Sequence, residues 1–203
     1  MEDRRKKKTR KAIHEAFINL LKQYDIETIT IQQIADEADI NRATFYKHYE
    51  DKYILLNTIE DNEVNHINQY MNYQQVKETE FNNQASLNQL VENIPKNIMK
   101  TILNNIELYE VLFKMNRVST LENKMADVIS NNLKMALGEK DSISNIQFRY
   151  FHAYVSGAMI NIIKLWVLDE QRISADQLTE TIFDIAYHGP LKLILSEMSH
   201  ATD

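Results

Sequence analysis

The sequence predicts an all-α protein of about nine to ten helices, built as a three-helix N-terminal head followed by a larger helical body. Three observations carry that expectation. Apolar residues recur at three- and four-residue spacing along almost the whole chain, the period of a helix with one buried face. Only three Gly and two Pro occur in 203 residues, little material for the tight turns of a sheet protein. Two reciprocal helix-start signatures, Thr30 with Gln33 and Ser174 with Gln177, open periodic segments. The chain is long enough to bury a substantial core, as one larger domain or as a small domain joined to a bigger one. The absence of Cys excludes disulfides, thiolate metal sites and cysteine redox sensing. The basic start leads into an amphipathic helix and not into a continuous apolar segment, so no export signal is expected and the location is read as cytoplasmic.

Taken element by element, the head begins at Thr9. Ala12, Ile13, Ala16, Phe17, Leu20, Leu21 and Tyr24 keep helical spacing and define one face for burial. In the second helix Thr30 caps the start with Gln33, Ile29 staples onto Ile34, and Ile31, Ile34, Ala35 and Ala38 point inward. At Asp39 the chain must turn through a left-handed conformation, which Asp tolerates better than most residues. Asn41 can cap a third helix two residues later. On a wheel with Arg42 at zero, Phe45 and Tyr49 fall at about 300° and 340°, while Ala43, Lys47, Thr44 and His48 spread over about 100° to 240°. The aromatic side anchors this helix. Its opposite side is small and polar, with Arg42 and Tyr46 on the flank.

Two short helices joined by a tight turn, the second with such a face, match a helix-turn-helix that enters the DNA major groove. Ala43 permits close approach and can meet a thymine methyl. Arg42 can reach guanine O6 and N7, and Thr44, Lys47 and His48 can reach base edges or phosphates. The net charge of -6 argues against nucleic acid by itself, but its distribution does not. Residues 1–52 hold 11 Lys+Arg against 10 Asp+Glu, and seven of those cations crowd between Arg4 and Lys11. Alone, such a run is a solvated tail as readily as a binding element. Beside a helix-turn-helix it is expected to act as an arm along phosphates.

The pattern T-x-x-x-I-A-x-x-A-x-(I/V)-x-x-x-T-x-Y-x-(H/Y)-(F/Y)-x-x-K is met at Thr30, Ile34, Ala35, Ala38, Ile40, Thr44, Tyr46, His48, Tyr49 and Lys52. From Lys8 to about Leu56 the chain thereby resembles the DNA-binding head of the tetracycline-repressor (TetR) family of bacterial transcriptional regulators. The resemblance implies that Thr30 and Gln32 meet the DNA backbone or groove edge, and that Arg42, Ala43 and Thr44, opened by Asn41, lead the recognition helix. It implies further contacts from Tyr46, Lys47 and His48, and a phosphate clamp at Lys52. Asp39 departs from the family, which usually has Gly there. A head of residues 1–52 and a body of residues 53–203 follow.

In the body, a long helix is expected from Asp51 to about Gln74, then a polar loop over residues 76–86, a helix from about Ser86 restarted at Pro95, a short amphipathic helix around residues 105–116, and another ending near Gly138. The segment from about Ser144 to Leu168 is apolar on nearly every face, which calls for burial on two sides. Arg149, His152, Asn161 and Lys164 interrupt any membrane-spanning run. Ser156, Gly157 and Ala158 would admit a close helix. A last helix starts at Ser174, carries Leu178, Ile182, Phe183, Ile185 and Ala186, and stops or kinks at Gly189. These last two helices resemble the family's dimerisation pair, and the surrounding string resembles the subgroup related to the dihydroxyacetone-kinase operon regulator.

The functional expectation is a homodimeric regulator, a repressor of a palindromic operator on double-stranded DNA, released by a small-molecule effector. The alternative is control by a protein partner on the same fold. No Gly-rich phosphate loop, metalloprotease motif or nucleophile constellation suggests an enzyme, and no cofactor, metal or membrane association is expected. His66, His152 and His188 are too scattered for a metal site. Met99, Met115, Met125, Met159, Phe113, Phe148, Tyr109, Tyr150 and Trp166 could line an apolar pocket, but such a set at helical spacing is more often core.

Overall fold

The computed structural model describes residues 4–70, 95–115, 119–138 and 140–192; the loop expected at 76–86 and the helix start near Ser86 lie outside them. The fold is all-α. Among the described residues the longer helices are α1 (Arg4–Leu21), α2 (Ile31–Glu37), α3 (Arg42–Tyr46), α4 (Lys52–Tyr70), α5 (residues 95–104), α6 (Ile106–Lys114), α7 (Leu121–Leu137), α8 (Phe148–Leu168) and α9 (Ala175–His188), with helical residues again at 190–192. The chain divides into two compact units, Met1–Val64 with Glu107–Leu121 and Asn65–Ile106 with Glu122–Asp203.

In the first unit the apolar stripe of α1 is buried as its spacing requires, with Ile13 and Phe17 wholly inaccessible, against Ile29, Ile34 and Ala35. Ala12 and Leu21 at its margins are half-buried, and Tyr24 departs further. It lies beyond the end of α1 and is 49% exposed. The helix starts earlier than Thr9: the basic run from Arg4 is its exposed first turns and not an extended arm. Lys and Arg are good helix formers, and on a solvated turn their charges meet no desolvation cost. Asp51 accepts hydrogen bonds from the backbone N–H groups of Tyr53 (2.8 Å) and Ile54 (2.7 Å), so it caps α4. Farther along α4, buried Glu60 accepts from the backbone N–H and the hydroxyl of Thr120, which meets the requirement that a buried carboxylate be bonded.

The second unit is cored by Met99, Ile102, Met125, Ile160, Ile163, Trp166, Val167, Leu178 and Ile182. The Trp166 indole N–H donates to the carbonyl of Ile173 at 2.7 Å, holding the α8–α9 turn. Lys164 of α8 pairs with Glu122 of α7 at 2.6 Å. By length and composition α8 could cross a membrane. Here the hydroxyl of Ser156 donates to the carbonyl of His152, whose Nε2 lies 2.9 Å from the carbonyl of Ala126, so these two side chains have partners within the unit. The capping box at Ser174 and Gln177 is formed, and α9 ends at Gly189 with φ 75°.

The start of α8 also departs from the expectation. The helix placed from Ser144 starts only at Phe148, because residues 142–147 form an antiparallel hairpin of β1 (Ser142–Ile143) and β2 (Ile146–Gln147). Ser144 and Asn145 both take positive φ, 48° and 67°, the backbone that a two-residue hairpin turn of right-handed twist demands. Asn accepts that region at low cost.

Candidate nucleic-acid interface

Residues from α1, the α1–α2 turn, α2, α3 and the start of α4, all within the first unit, build the site. At its base Thr30 caps α2: its side chain accepts from the Gln33 backbone N–H at 3.2 Å, and the Thr30 N–H donates to the Gln33 side chain at 2.8 Å. Asp39 takes φ 52°, the left-handed turn expected of it. That turn lets the Ile40 N–H return to the Ala35 carbonyl at 3.0 Å and delivers the chain to Asn41. The Asn41 carbonyl oxygen accepts from both the backbone N–H (2.7 Å) and the hydroxyl (2.9 Å) of Thr44.

α3 is shorter than the wheel assumed. Regular helix ends at Tyr46, with Lys47 as C-cap, and His48 lies in the turn that follows. The bond from the Tyr49 N–H to the Phe45 carbonyl at 3.0 Å nevertheless keeps Tyr49 near its helical azimuth. Phe45 is 0% and Tyr49 5% exposed, so this side faces inward, while Arg42, Ala43, Tyr46 and Lys47 are exposed and Thr44 and His48 half-buried. Arg42 is held in a defined pose: its Nη2 donates to the Tyr46 hydroxyl at 3.1 Å and its guanidinium sits 5.5 Å from that ring's centre.

The structure gives several of these side chains a local task as well. Thr30 and Asn41 are capping residues. Gln32, exposed on α2, donates to Asp36 at 2.7 Å. Lys52 is half-buried, and its ammonium donates to the carbonyls of Glu27 (3.0 Å) and Ile29 (2.8 Å), tying the α1–α2 turn to the start of α4. An ammonium has three donors, so two serve the fold.

Two features escaped the sequence reading. His14 of α1 places Nε2 2.7 Å from the Tyr49 hydroxyl. Burial and then the Arg10 charge lower its pKa to about 4, so the imidazole is neutral at pH 7. No local signal could have found this pair, since the partners are 35 residues apart. Lys22, just past the end of α1, pairs with Glu107 of α6 at 2.5 Å, and both line an open cleft of about 570 Å³; the Lys22 hydrogen bond and charge lower the Glu107 pKa. Of the candidate pocket residues, Met99, Met125, Phe113, Tyr109 and Trp166 are core, and Tyr150 is exposed. Burial, then the Glu63 charge, raises the Tyr109 phenol well above its usual range.

Comparison with known proteins bears on both parts of the chain. A family model described as bacterial regulatory proteins, tetR family, matches residues 13–59, which include every candidate DNA contact from Thr30 to Lys52. A second, described as transcriptional regulator C-terminal region, matches residues 90–188, and together the two take in more than half of the chain. An uncharacterized HTH-type transcriptional regulator of Bacillus subtilis (strain 168), YxbF, is 45% identical over 58 residues, 28% of this chain and 15% of that protein. The match thus spans well under two thirds of this relative's length. Among solved structures, the dihydroxyacetone kinase operon activator DhaS superposes with a TM-score of 0.58 at 18% identity, over 87% of this chain and 93% of its own. FadR of Thermus thermophilus, a TetR-family transcriptional repressor in complex with lauroyl-CoA, does so with 0.58 at 13%, over 89% and 94%. At these identities the likeness is one of fold.

Proposed function

The chain belongs to the tetR family of bacterial regulatory proteins, and from that premise we propose that it is a cytoplasmic, homodimeric repressor that reads a palindromic operator. Its head is taken as residues 1–52 and its effector-binding and dimerisation body as 53–203. Members of the family are transcriptional regulators and generally not enzymes.

The observation that carries this reading is α3, a helix pinned by buried Phe45 and Tyr49 that leaves Arg42, Ala43 and Lys47 exposed. Arg42 supplies the bidentate reach for guanine and Ala43 the close approach. The exposed cations of α1 from Arg4 to Lys11 supply sequence-independent attraction to phosphate. Thr30, Gln32, Asn41, Thr44, Tyr46, His48 and Lys52 complete the contact set; Thr30, Asn41 and Lys52 also hold the head in shape. Two such heads related by a two-fold axis read half-sites about 34 Å or a multiple of it apart. The second head comes through α8 and α9, whose Tyr150, Tyr154, Leu165 and Tyr187 are 60–72% exposed in one chain, an apolar surface suited to a second copy.

Release by a small molecule is supported by the FadR neighbour, solved with an acyl-CoA. A protein partner in that role is the second reading. It is supported by the likeness to DhaS, whose name is that of an activator, and by the buried state of most candidate pocket residues. The test is affinity for a promoter fragment across salt concentrations, with Arg42→Ala beside the parent chain. A steep salt dependence, and a loss of discrimination worth ~1–3 kcal/mol in the variant, support the reading. A flat salt response, or unchanged preference in Arg42→Ala, sinks it.

A further inference from the structure

We propose that His14 is a positioning residue for base recognition, acting through its hydrogen bond to Tyr49 to set the rotation of α3 and hence the pose of Arg42. This rests on the reading of α3 as the recognition helix.

The geometry forms an unbroken series. His14 Nε2 meets the Tyr49 hydroxyl at 2.7 Å. The Tyr49 ring lies 5.9 Å from that of Phe45, and Phe45 meets Tyr46 edge-on at 5.8 Å. Tyr46 in turn accepts from Arg42 and lies under its guanidinium. The series therefore runs from α1, the helix that carries the phosphate-facing cations, to the side chain that reads guanine.

A polar bond at its root adds what packing cannot. α3 has five regular residues and one fully buried side chain, Phe45. Contact between apolar surfaces is non-directional and lets so short a helix roll or slide by a fraction of an ångström. A hydrogen bond falls off steeply with distance and angle, so a buried hydroxyl held by an imidazole on a second helix fixes the azimuth. Base recognition is sensitive on that same scale, because a functional side chain must be held to within about 0.5 Å. A neutral imidazole suits the task, since it offers one acceptor and one donor, and burial, helped by the Arg10 charge, keeps His14 neutral.

The experiment uses the full chain and a duplex that the parent protein selects from a randomised library, with a scrambled duplex of equal length as reference. His14→Leu and Tyr49→Phe, each measured at one salt concentration, should lose about five- to tenfold of the ratio of the two affinities, the worth of one neutral hydrogen bond. The double variant should lose no more than either single one. His14→Gln, whose amide nitrogen reaches where Nε2 lies, should restore the ratio. In an Arg42→Ala background His14→Leu should change nothing further. Should His14→Leu fail to fold, Tyr49→Phe, which keeps the buried ring, carries the test. Unchanged discrimination in Tyr49→Phe, or a parallel loss on both duplexes, overturns the positioning role and leaves the recognition helix in place. If the parent chain selects no duplex at all, the recognition reading fails and this proposal with it.

Discussion

Gly157 offers the sharpest probe of the proposed dimer because its own chain leaves room there. A Cβ built there meets no atom within 4 Å, so Gly157→Glu creates no clash inside the subunit. In the monomer the change should gain ~0.5–1 kcal/mol, the usual penalty of Gly in a helix interior. In a dimer closed over α8 the carboxylate would be trapped beside Tyr154 and Ala158, which are exposed in one chain. It must then either stay charged without a partner or take up a proton. Protonating Glu at pH 7 against a normal pKa of about 4.3 costs ~3.7 kcal/mol, which caps the penalty per copy. Two copies, each relieved by about half through residual water, still amount to ~4 kcal/mol, or roughly a thousandfold in the dimer dissociation constant. Sedimentation velocity over a concentration series reads this directly, with circular dichroism as the check on folding and operator binding as the functional consequence. A Gly157→Glu protein that stays dimeric at low concentration places the interface elsewhere. One that loses helicity refutes the inference that this face is open.

Lys52→Met removes two charge-assisted bonds to the carbonyls of Glu27 and Ile29, so the urea midpoint should fall by the equivalent of ~1–2 kcal/mol while DNA affinity weakens alike on all sequences; an unchanged midpoint would show that those bonds contribute nothing net. Asp39→Gly should raise the melting temperature, by up to ~1 kcal/mol of stability, because φ 52° strains a residue with a Cβ; a lower melting temperature would mean that the Asp side chain outweighs the strain. The pKa of His14 is depressed on folding, from 6.5 to about 4, so the unfolded chain binds the extra proton between those values. Stability is full above pH 6.5 and is lost as pH falls toward 4. The undiscounted shift would be worth ~3 kcal/mol, and a half-buried site leaves ~1–2. His14→Leu should flatten that part of the pH–stability curve, and an identical curve would exonerate His14.

What the sequence by itself determined is whatever depends on neighbours within a helical turn or two. The capping boxes at Thr30 and Ser174, the cap at Asn41, the left-handed turn at Asp39, the end of α7 at Gly138 and the inward set of Ile13, Phe17, Ile34 and Phe45 all follow from spacing and from backbone preferences. The exposed side of α3 follows too, since burying Phe45 and Tyr49 leaves the other azimuths outside. The hairpin of residues 142–147 was local as well, but its signal, Ser-Asn between isoleucines, is too short to outweigh a long apolar helix beginning just after it. Tertiary structure decided the rest. It joined His14 to Tyr49, Lys22 to Glu107, Glu60 to Thr120 and Lys52 to the α1–α2 turn, pairs separated by 23 to 85 residues. Such pairings depend on where folding brings distant segments together, and a polar side chain's local surroundings do not record its partner. The same cause kept the fold contacts of Lys52 out of the sequence beside its expected DNA contact, since the donors of an ammonium serve whichever groups the packed chain presents.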